Sequence, residues 1–417
     1  MELNKLVRGT STAGDIFDSV NGLIDSALQY SRGNNIVLLG DSITQQDSYT
    51  VGASDQYTSD RGYFSLANAA AGWPFDYINS GVPGGTTGKM LARLDADVLA
   101  HKAYIVIVFA GVNDLAASTP ISTDVTISNL TEIYTKILNS GAGLICCTVP
   151  ITSGQNVTSN AVINEFIESF SAANNVDVAD FAAALTDVNN TTSPFQKTSS
   201  TEDGTHPNRN GAKFMSEKLT PILTKYAKSR VRFLTRNDVG GNIIANTLNI
   251  GTSGTIPAGV APTGYGFYNG AVNADQTHTG SIADSAGKTH KVYRVTTTNV
   301  GSATADTVVS KSSYIAPVIG AKYIFSAEMN IISAENWKGS TLTMRFMGAG
   351  DATLGRVVFM NADDGGSAVV PSYSGGGVFS SLPMTCPVGT TYILVTVKTV
   401  AKASVVDIGR IQCLKVA

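Results

Sequence analysis

The sequence predicts two kinds of structure in tandem: a parallel α/β domain in the first half and an all-β region in the second. Three observations carry this. The apolar run Ile36-Val37-Leu38-Leu39 stops abruptly at Gly40-Asp41-Ser42, as a buried parallel strand does when it reaches a tight turn. From there to about residue 228, strand-like runs alternate with amphipathic helical stretches, the order that gives a parallel sheet with helices on both faces. After about Val231, Gly, Ser, Thr and Val dominate and helical periodicity disappears, which predicts a two-sheet β-sandwich.

Taken in order, residues 1–33 are expected to form a lead and a helix. Ile16, Val20, Leu23, Ala27 and Tyr30 recur at alternating steps of four and three, a stripe that suits either a covering helix or a short attachment or oligomerisation helix. The α/β domain is assigned to residues 34–230. Its strands are expected at Ile36–Leu39, Phe75–Asn79, Tyr104–Phe109, Leu144–Val149 and Val176–Asp180. Its helices are expected at Arg61–Ala71, Thr86–Ala100, Asp124–Asn139, Ala161–Ala173 and Asn210–Lys228; in the second of these Met90, Leu91, Leu94 and Val98 share one side. The β-sandwich module is assigned to 231–417, with a boundary near Lys228–Asn242. Strands are expected at Val292–Thr296, Tyr323–Ala327, Leu342–Phe346 and Tyr392–Val397, separated by turn signals that include Gly-Ala-Gly-Asp at 348–351 and Gly-Gly-Gly at 375–377.

Composition narrows the functional classes. The 417-residue chain is long for one core, so two domains are expected. A net charge of −3 and the lack of any Lys/Arg-rich run argue against nucleic acid as a partner. The longest apolar runs are strand-sized, so no membrane span is expected. The stretch Met1-Glu2-Leu3-Asn4-Lys5 has no apolar segment of the kind a secretory signal carries. Cys146 and Cys147 sit in an apolar run and read as small buried residues, whereas Cys386 and Cys413 are left as a pair that sequence cannot settle. No Cys/His grouping has metal-ligand spacing, and no metal or organic cofactor is expected.

The chemistry gathers on hydroxyl, imidazole and amide groups. Ser42 lies just past a strand's carboxyl end, where open α/β sheets place reactive groups. A serine nucleophile needs a base within hydrogen-bond reach. The α/β domain offers two histidines. His101 has the setting of a solvated loop, and His206 lies in Asp203-Gly204-Thr205-His206-Pro207 before the last helix. A carboxylate three residues ahead of the imidazole can reach back, hold the ring tautomer and stabilise the imidazolium. Donors for a developing oxyanion come from the Ser42 amide, from the Gly-rich loop Asn79–Thr87 and from the Asn113 side chain, which follows the next long strand. Asp41, Asp114 and Glu202 read as structural or loop-capping acids.

Gly40-Asp41-Ser42, Gly84 in its Gly-rich loop, Gly111-Val112-Asn113-Asp114 and Asp203-Gly204-Thr205-His206 together resemble the four blocks of the SGNH, or GDSL-type, hydrolases. The resemblance spans about residues 34–228. It implies a flavodoxin-like three-layer α/β/α domain and a serine esterase or deacetylase. It assigns Ser42, Asp203 and His206 to the triad, and Ser42, Gly84 and Asn113 to the oxyanion hole. Two features depart from the commonest pattern. Ile43-Thr44 follows the serine in place of Leu, a variation found in carbohydrate-acting branches. Gly81 is a second glycine in the loop, and Gly84 is preferred because Gly85-Thr86-Thr87 then matches the family's following residues.

The β-rich half is similar to carbohydrate-binding-module-like sandwiches, with Trp337, Tyr265, Tyr268, Tyr293, Tyr373 and Tyr392 as a candidate sugar-stacking platform. The segment Gly14–Ser26 resembles connecting segments of phage tail fibres and tailspikes. These likenesses imply an O-acetylesterase acting on a polysaccharide, placed outside the cell or on a virion, and a homotrimer if it is a phage appendage. The alternatives are a lipid or thioester hydrolase of the same family, and a non-catalytic glycan-binding tail or adhesin component.

Overall fold

The structure, a computed structural model, describes residues 34–51, 55–116, 118, 120–187, 199–227, 254, 256–263, 265–269, 276–284, 290–299, 305–312, 316–361 and 369–416. The N-terminal stripe at 16–30 and the boundary at 228–242 lie outside them. The described chain divides into two units that do not follow its linear order. The first takes 34–44 and 75–183. The second takes 45–74, 184–187 and 199–227 together with the described β-rich residues beyond.

In the first unit, β1 (Asn35–Gly40) is joined by β4 (Asp76–Gly81), β5 (Ile105–Phe109), β6 (Gly143–Cys147) and β7 (Asp177–Ala179). All four pairings are parallel, and the order is β4-β1-β5-β6-β7. By rank along the chain this is 2-1-3-4-5, the flavodoxin-like order whose switch point lies between the first and third strands. β1 and β5 are uninterrupted apolar runs because both faces of a central parallel strand are covered. The flanking helices are α3 (Thr87–Asp97), α4 (Thr123–Asn139) and α5 (Val157–Ala173). Each starts on a side-chain cap: Thr86 accepts from the Lys89 amide, Ser122 from Val125 and Asn156 from Ser159. α4 packs beside both α3 and α5, burying Leu130, Ile133 and Ile137 along one stripe.

The second unit is built on two seven-stranded sheets. One is ordered β16-β13-β19-β11-β10-β8, from β8 (Ala258–Gly259), β10 (Gln276–Asp284), β11 (Lys291–Asn299), β13 (Lys322–Trp337), β16 (Val370–Ser380) and β19 (Ala403–Lys415), with β17 (Met384–Thr385) on β13. The other is ordered β2-β3-β15-β14-β18-β12-β9, from β2 (Ser48–Val51), β3 (Asp55–Ser59), β9 (Tyr265–Asn269), β12 (Ala305–Ser312), β14 (Gly339–Met347), β15 (Thr353–Asn361) and β18 (Tyr392–Ala401). Strict alternation of burial along β18 marks one face as core. Phe346 of β14 meets Phe325 and Tyr323 of β13 edge-on, at 5.3 and 6.2 Å, so the sheets share an aromatic interior.

Three features correct the expectations. Residues 45–59 were assigned no element, yet β2 and β3 extend the second sheet, with β3 parallel to β15 and Arg356 gripping Asp55 through its amide and guanidinium. Their text, SYTV and DQYTS, has too little apolar content to signal a strand without its distant partner. Gly375-Gly376-Gly377 is not a turn but lies within β16. A Cβ on Gly377 would stand 2.0 Å from the Ala69 carbonyl oxygen, so the glycines let helix α2 (Tyr63–Ala70) lie directly on the strand. Finally, Trp337, Tyr265, Tyr293 and Tyr373 are buried, which removes them from any sugar-stacking surface. The Tyr268 side chain lies outside the described residues, and Tyr392 remains half-buried and donates to Asp351. Gly-Ala-Gly-Asp does form the turn between β14 and β15.

Candidate active site

The sequence-predicted residues of the first unit lie in three loops that leave the carboxyl ends of β1, β4 and β5. β1 ends at Gly40, where a Cβ would fall 2.0 Å from Thr44 Oγ1, so only glycine lets the chain turn this tightly. The Gly40 carbonyl accepts from the Val82 amide at 3.1 Å and from Arg93 Nη2 at 3.0 Å. Arg93, on α3, also donates to Asp97 through Nη1 at 2.7 Å. Ser42 is half-buried and opens the four-residue helix α1 (Ser42–Gln45). Asp41 is fully buried and accepts from the Ile43 amide at 2.9 Å, which fixes the turn on either side of the serine.

The Gly-rich loop is pinned at both ends. Asn79 accepts from the Gly81 amide and donates to the Thr44 carbonyl, each at 3.0 Å. The Gly85 amide donates to the Val82 carbonyl. Gly84, at φ +66°, is exposed and has open space where a side chain would be, so its glycine answers to backbone conformation. Asn113, half-buried after β5, donates from Nδ2 to Asp41 Oδ2 at 3.1 Å and to the Gly85 carbonyl at 3.0 Å. One amide thus ties the three loops together. Asp114 is a cap, but of α3: its buried carboxylate accepts from the Thr87 amide and hydroxyl.

In the second unit, Asp203 and His206 form the clamp their spacing predicts. Asp203 Oδ2 meets His206 Nδ1 at 2.7 Å, while Oδ1 accepts from the amides of His206 at 2.7 Å and Thr205 at 2.8 Å. Burial disfavours the carboxylate, but the imidazole and those two amides outweigh it and hold the carboxyl down at about 2. The two side chains stay open to solvent, 56% exposed for Asp203 and 35% for His206. Thr201 Oγ1 donates to the His206 carbonyl at 2.9 Å and accepts from the Gly204 amide at 3.0 Å, closing the loop on itself. After the short helix α6 (Phe181–Leu185), the Asn208 side chain caps helix α7 (Arg209–Tyr226) by accepting from Asn210 and Gly211. His101 is exposed at the end of a short 3₁₀ turn, and Glu202 is exposed.

Sequence reasoning missed Arg93, Asp60 and Arg209. Arg209 and Asp60 form a buried ion pair three residues beyond His206, and the only sequence signal was an arginine in the first turn of a helix that follows an Asp-x-x-His loop. The four cysteines are buried and none is in a disulfide, so Cys386 and Cys413 are not bonded to each other. Among the described residues, no group of three or more His, Cys, Asp or Glu side chains is arranged to hold a metal ion.

Residues 38–214 match the model of the GDSL-like Lipase/Acylhydrolase family. Among solved structures, the lipase/acylhydrolase from Enterococcus faecalis is similar at 26% identity over 48% of this chain and 99% of its own, with a TM-score of 0.39. An acetylxylan esterase from Geobacillus stearothermophilus is similar at 22% identity over 48% and 98%, with a TM-score of 0.38. A GDSL-like lipase from Bacteroides thetaiotaomicron gives 20% identity over 50% and 97%, with a TM-score of 0.38. No curated protein matches the chain.

Proposed function

We propose that the chain, whose residues 38–214 match the GDSL-like lipase/acylhydrolase family, is a serine esterase that removes O-acetyl groups from a polysaccharide. Ser42 is the nucleophile. With Nδ1–H donating a hydrogen bond to Asp203, the imidazole of His206 is basic at Nε2, the nitrogen that takes the serine proton as the acetyl carbonyl is attacked. The amides of Ser42 and Gly84 and the side chain of Asn113 stabilise the oxyanion. Asn113 does so by turning one N–H away from Asp41 or Gly85, both of which it holds at rest. His206 then protonates the departing sugar hydroxyl, and water releases acetate by the same steps in reverse order.

The observation that carries this reading is the Asp203–His206 clamp, in which one carboxylate oxygen orients the ring and the other is fixed by two backbone amides. A polymer substrate is supported by Ile43-Thr44 after the serine and by the exposure of the clamp, which suits an acyl group carried on a bulky chain. The same reading places the protein outside the cell or on a phage tail, as a trimer in the latter case.

Acetate release is measured across a panel of acetylated polysaccharides with the wild type and Ser42→Ala. The expected result is release from at least one glycan, abolished by the substitution. Undiminished turnover by Ser42→Ala would remove the assignment. A preference for nitrophenyl esters of eight or more carbons over the acetate would turn the reading to a lipid hydrolase.

A further inference from the structure

The Asp203–His206 loop is restrained from its far end. Asp203 is more than half exposed and His206 about one-third exposed, at the solvent end of the loop. Arg209, the first residue of α7, is instead buried with Asp60, at 4% and 0% side-chain exposure, in an ion pair through Nε and Oδ2. Its guanidinium carbon lies 5.6 Å from the ring centroid of Trp337. Trp337 stacks on Tyr373 at 3.8 Å with 12° between the planes, and its indole donates to Ser340, which donates to Thr399. Asp60 follows β3 in one sheet, while Trp337 and Tyr373 belong to β13 and β16 in the other. Both sheets therefore grip one guanidinium.

Between Arg209 and His206 there is little slack. The Asn208 amide donates to the Ser200 carbonyl at 2.9 Å, and Thr201 bridges Pro207 as an isolated antiparallel pair. Gly211 lies so close to Ser200 that a Cβ would sit 2.2 Å from its carbonyl oxygen. A shift at Arg209 is thus passed on to the loop and not absorbed. We propose that Arg209 is a positioning residue, through which Asp60, Trp337 and Tyr373 of the β-rich unit set the orientation of the Asp203–His206 pair. The inference rests on the triad reading above. Under it, the β-rich half is a built-in brace of the general base, with no need to bind sugar to matter for turnover.

The test uses the full chain with nitrophenyl acetate. Arg209→Lys keeps the charge but loses the planar Nε–H that meets Asp60 Oδ2. It is expected to fold with KM within about twofold of wild type and kcat about tenfold lower, as for a small misplacement of a reacting group. A second variant, Asp60→Asn/Arg209→Met, removes both charges together, an exchange that buried pairs commonly tolerate, and is expected to show the same split. Each is then placed in an Asp203→Asn background. If Arg209 acts through the clamp, the tenfold loss shrinks below about twofold there, because the pair it orients is already disabled. Wild-type kcat in folded Arg209→Lys and in the double variant would overturn the inference, as would an equal loss in both backgrounds. Full activity of Asp203→Asn alone would overturn the triad reading itself, and that outcome is distinct from the others.

Discussion

Replacing Asp203 by Asn separates what its two carboxylate oxygens do. Oδ1 accepts from the Thr205 and His206 amides, and Oδ2 accepts from the imidazole. An asparagine that keeps its carbonyl at the Oδ1 position preserves both amide bonds and turns an N–H toward Nδ1. That nitrogen must then accept, the ring proton moves to Nε2, and Nε2 can no longer take a proton from serine. For an equivalent carboxylate-to-amide change in another serine hydrolase the loss in kcat is about 10⁴-fold, or about 5.5 kcal/mol at 1.36 kcal/mol per tenfold. Here the carboxylate is more than half exposed, so water competes for the ring and the expectation is about 10²- to 10⁴-fold. Stability should hold, because the loop's own bonds survive. Asp203→Ala serves as the contrast: it loses the same catalysis and also both amide bonds, at about 1 kcal/mol each after allowing for solvent. Steady-state kinetics with nitrophenyl acetate and thermal melts read the two effects. An Asp203→Asn enzyme within tenfold of wild-type kcat would refute the reasoning, as would equal melting losses for the two variants.

Three further outcomes follow from the geometry. Because the Asp203 carboxyl is held below its ordinary value of 3.8, at about 2, its stabilising contribution is complete above about pH 4 and fades only as pH falls toward 2. Protonation of Asp203 should therefore add nothing to the fall of kcat/KM above about pH 4; a loss between pH 4 and 5 that disappears in Asp203→Asn would contradict this. Gly377→Ala forces a Cβ against the Ala69 carbonyl at a φ of +155°, and should cost about 3 kcal/mol or more in denaturant unfolding. The cysteines are buried and burial raises their thiols, Cys146 to about 11. Ellman's reagent at pH 8 should find no reactive thiol in the folded protein and four after guanidinium unfolding.

The α/β half was legible because its signals are local. An apolar run such as Ile105–Phe109 needs no partner to declare itself a buried strand, and Asp203 reaches His206 within one turn of chain. The clamp and the strand-end positions of Ser42 and Asn113 follow directly. What could not be read depends on residues far apart. Asp60 and Arg209 look like ordinary surface charges until folding buries them against each other. Gly375–Gly377 signals a turn by composition and becomes a strand only because helix α2 needs a surface without side chains. Trp337 and Tyr373 look equally suited to stacking on sugar or on each other, and the structure stacks them on each other.

The parallel pairing of β3 with β15 bears on how the polypeptide can be made and cut. Asp55 waits for Arg356, 301 positions downstream, so a nascent chain must carry the β2–β3 pair with one edge unmatched through most of its synthesis. Such remote closure slows acquisition of the native state and leaves sticky main-chain groups bare in the interval. An expression fragment that starts after residue 230 would keep β15 with a raw border where β3 belongs, an invitation to pair with neighbouring molecules. Separating the halves at the point where their compositions change would then yield inclusion bodies instead of two working modules.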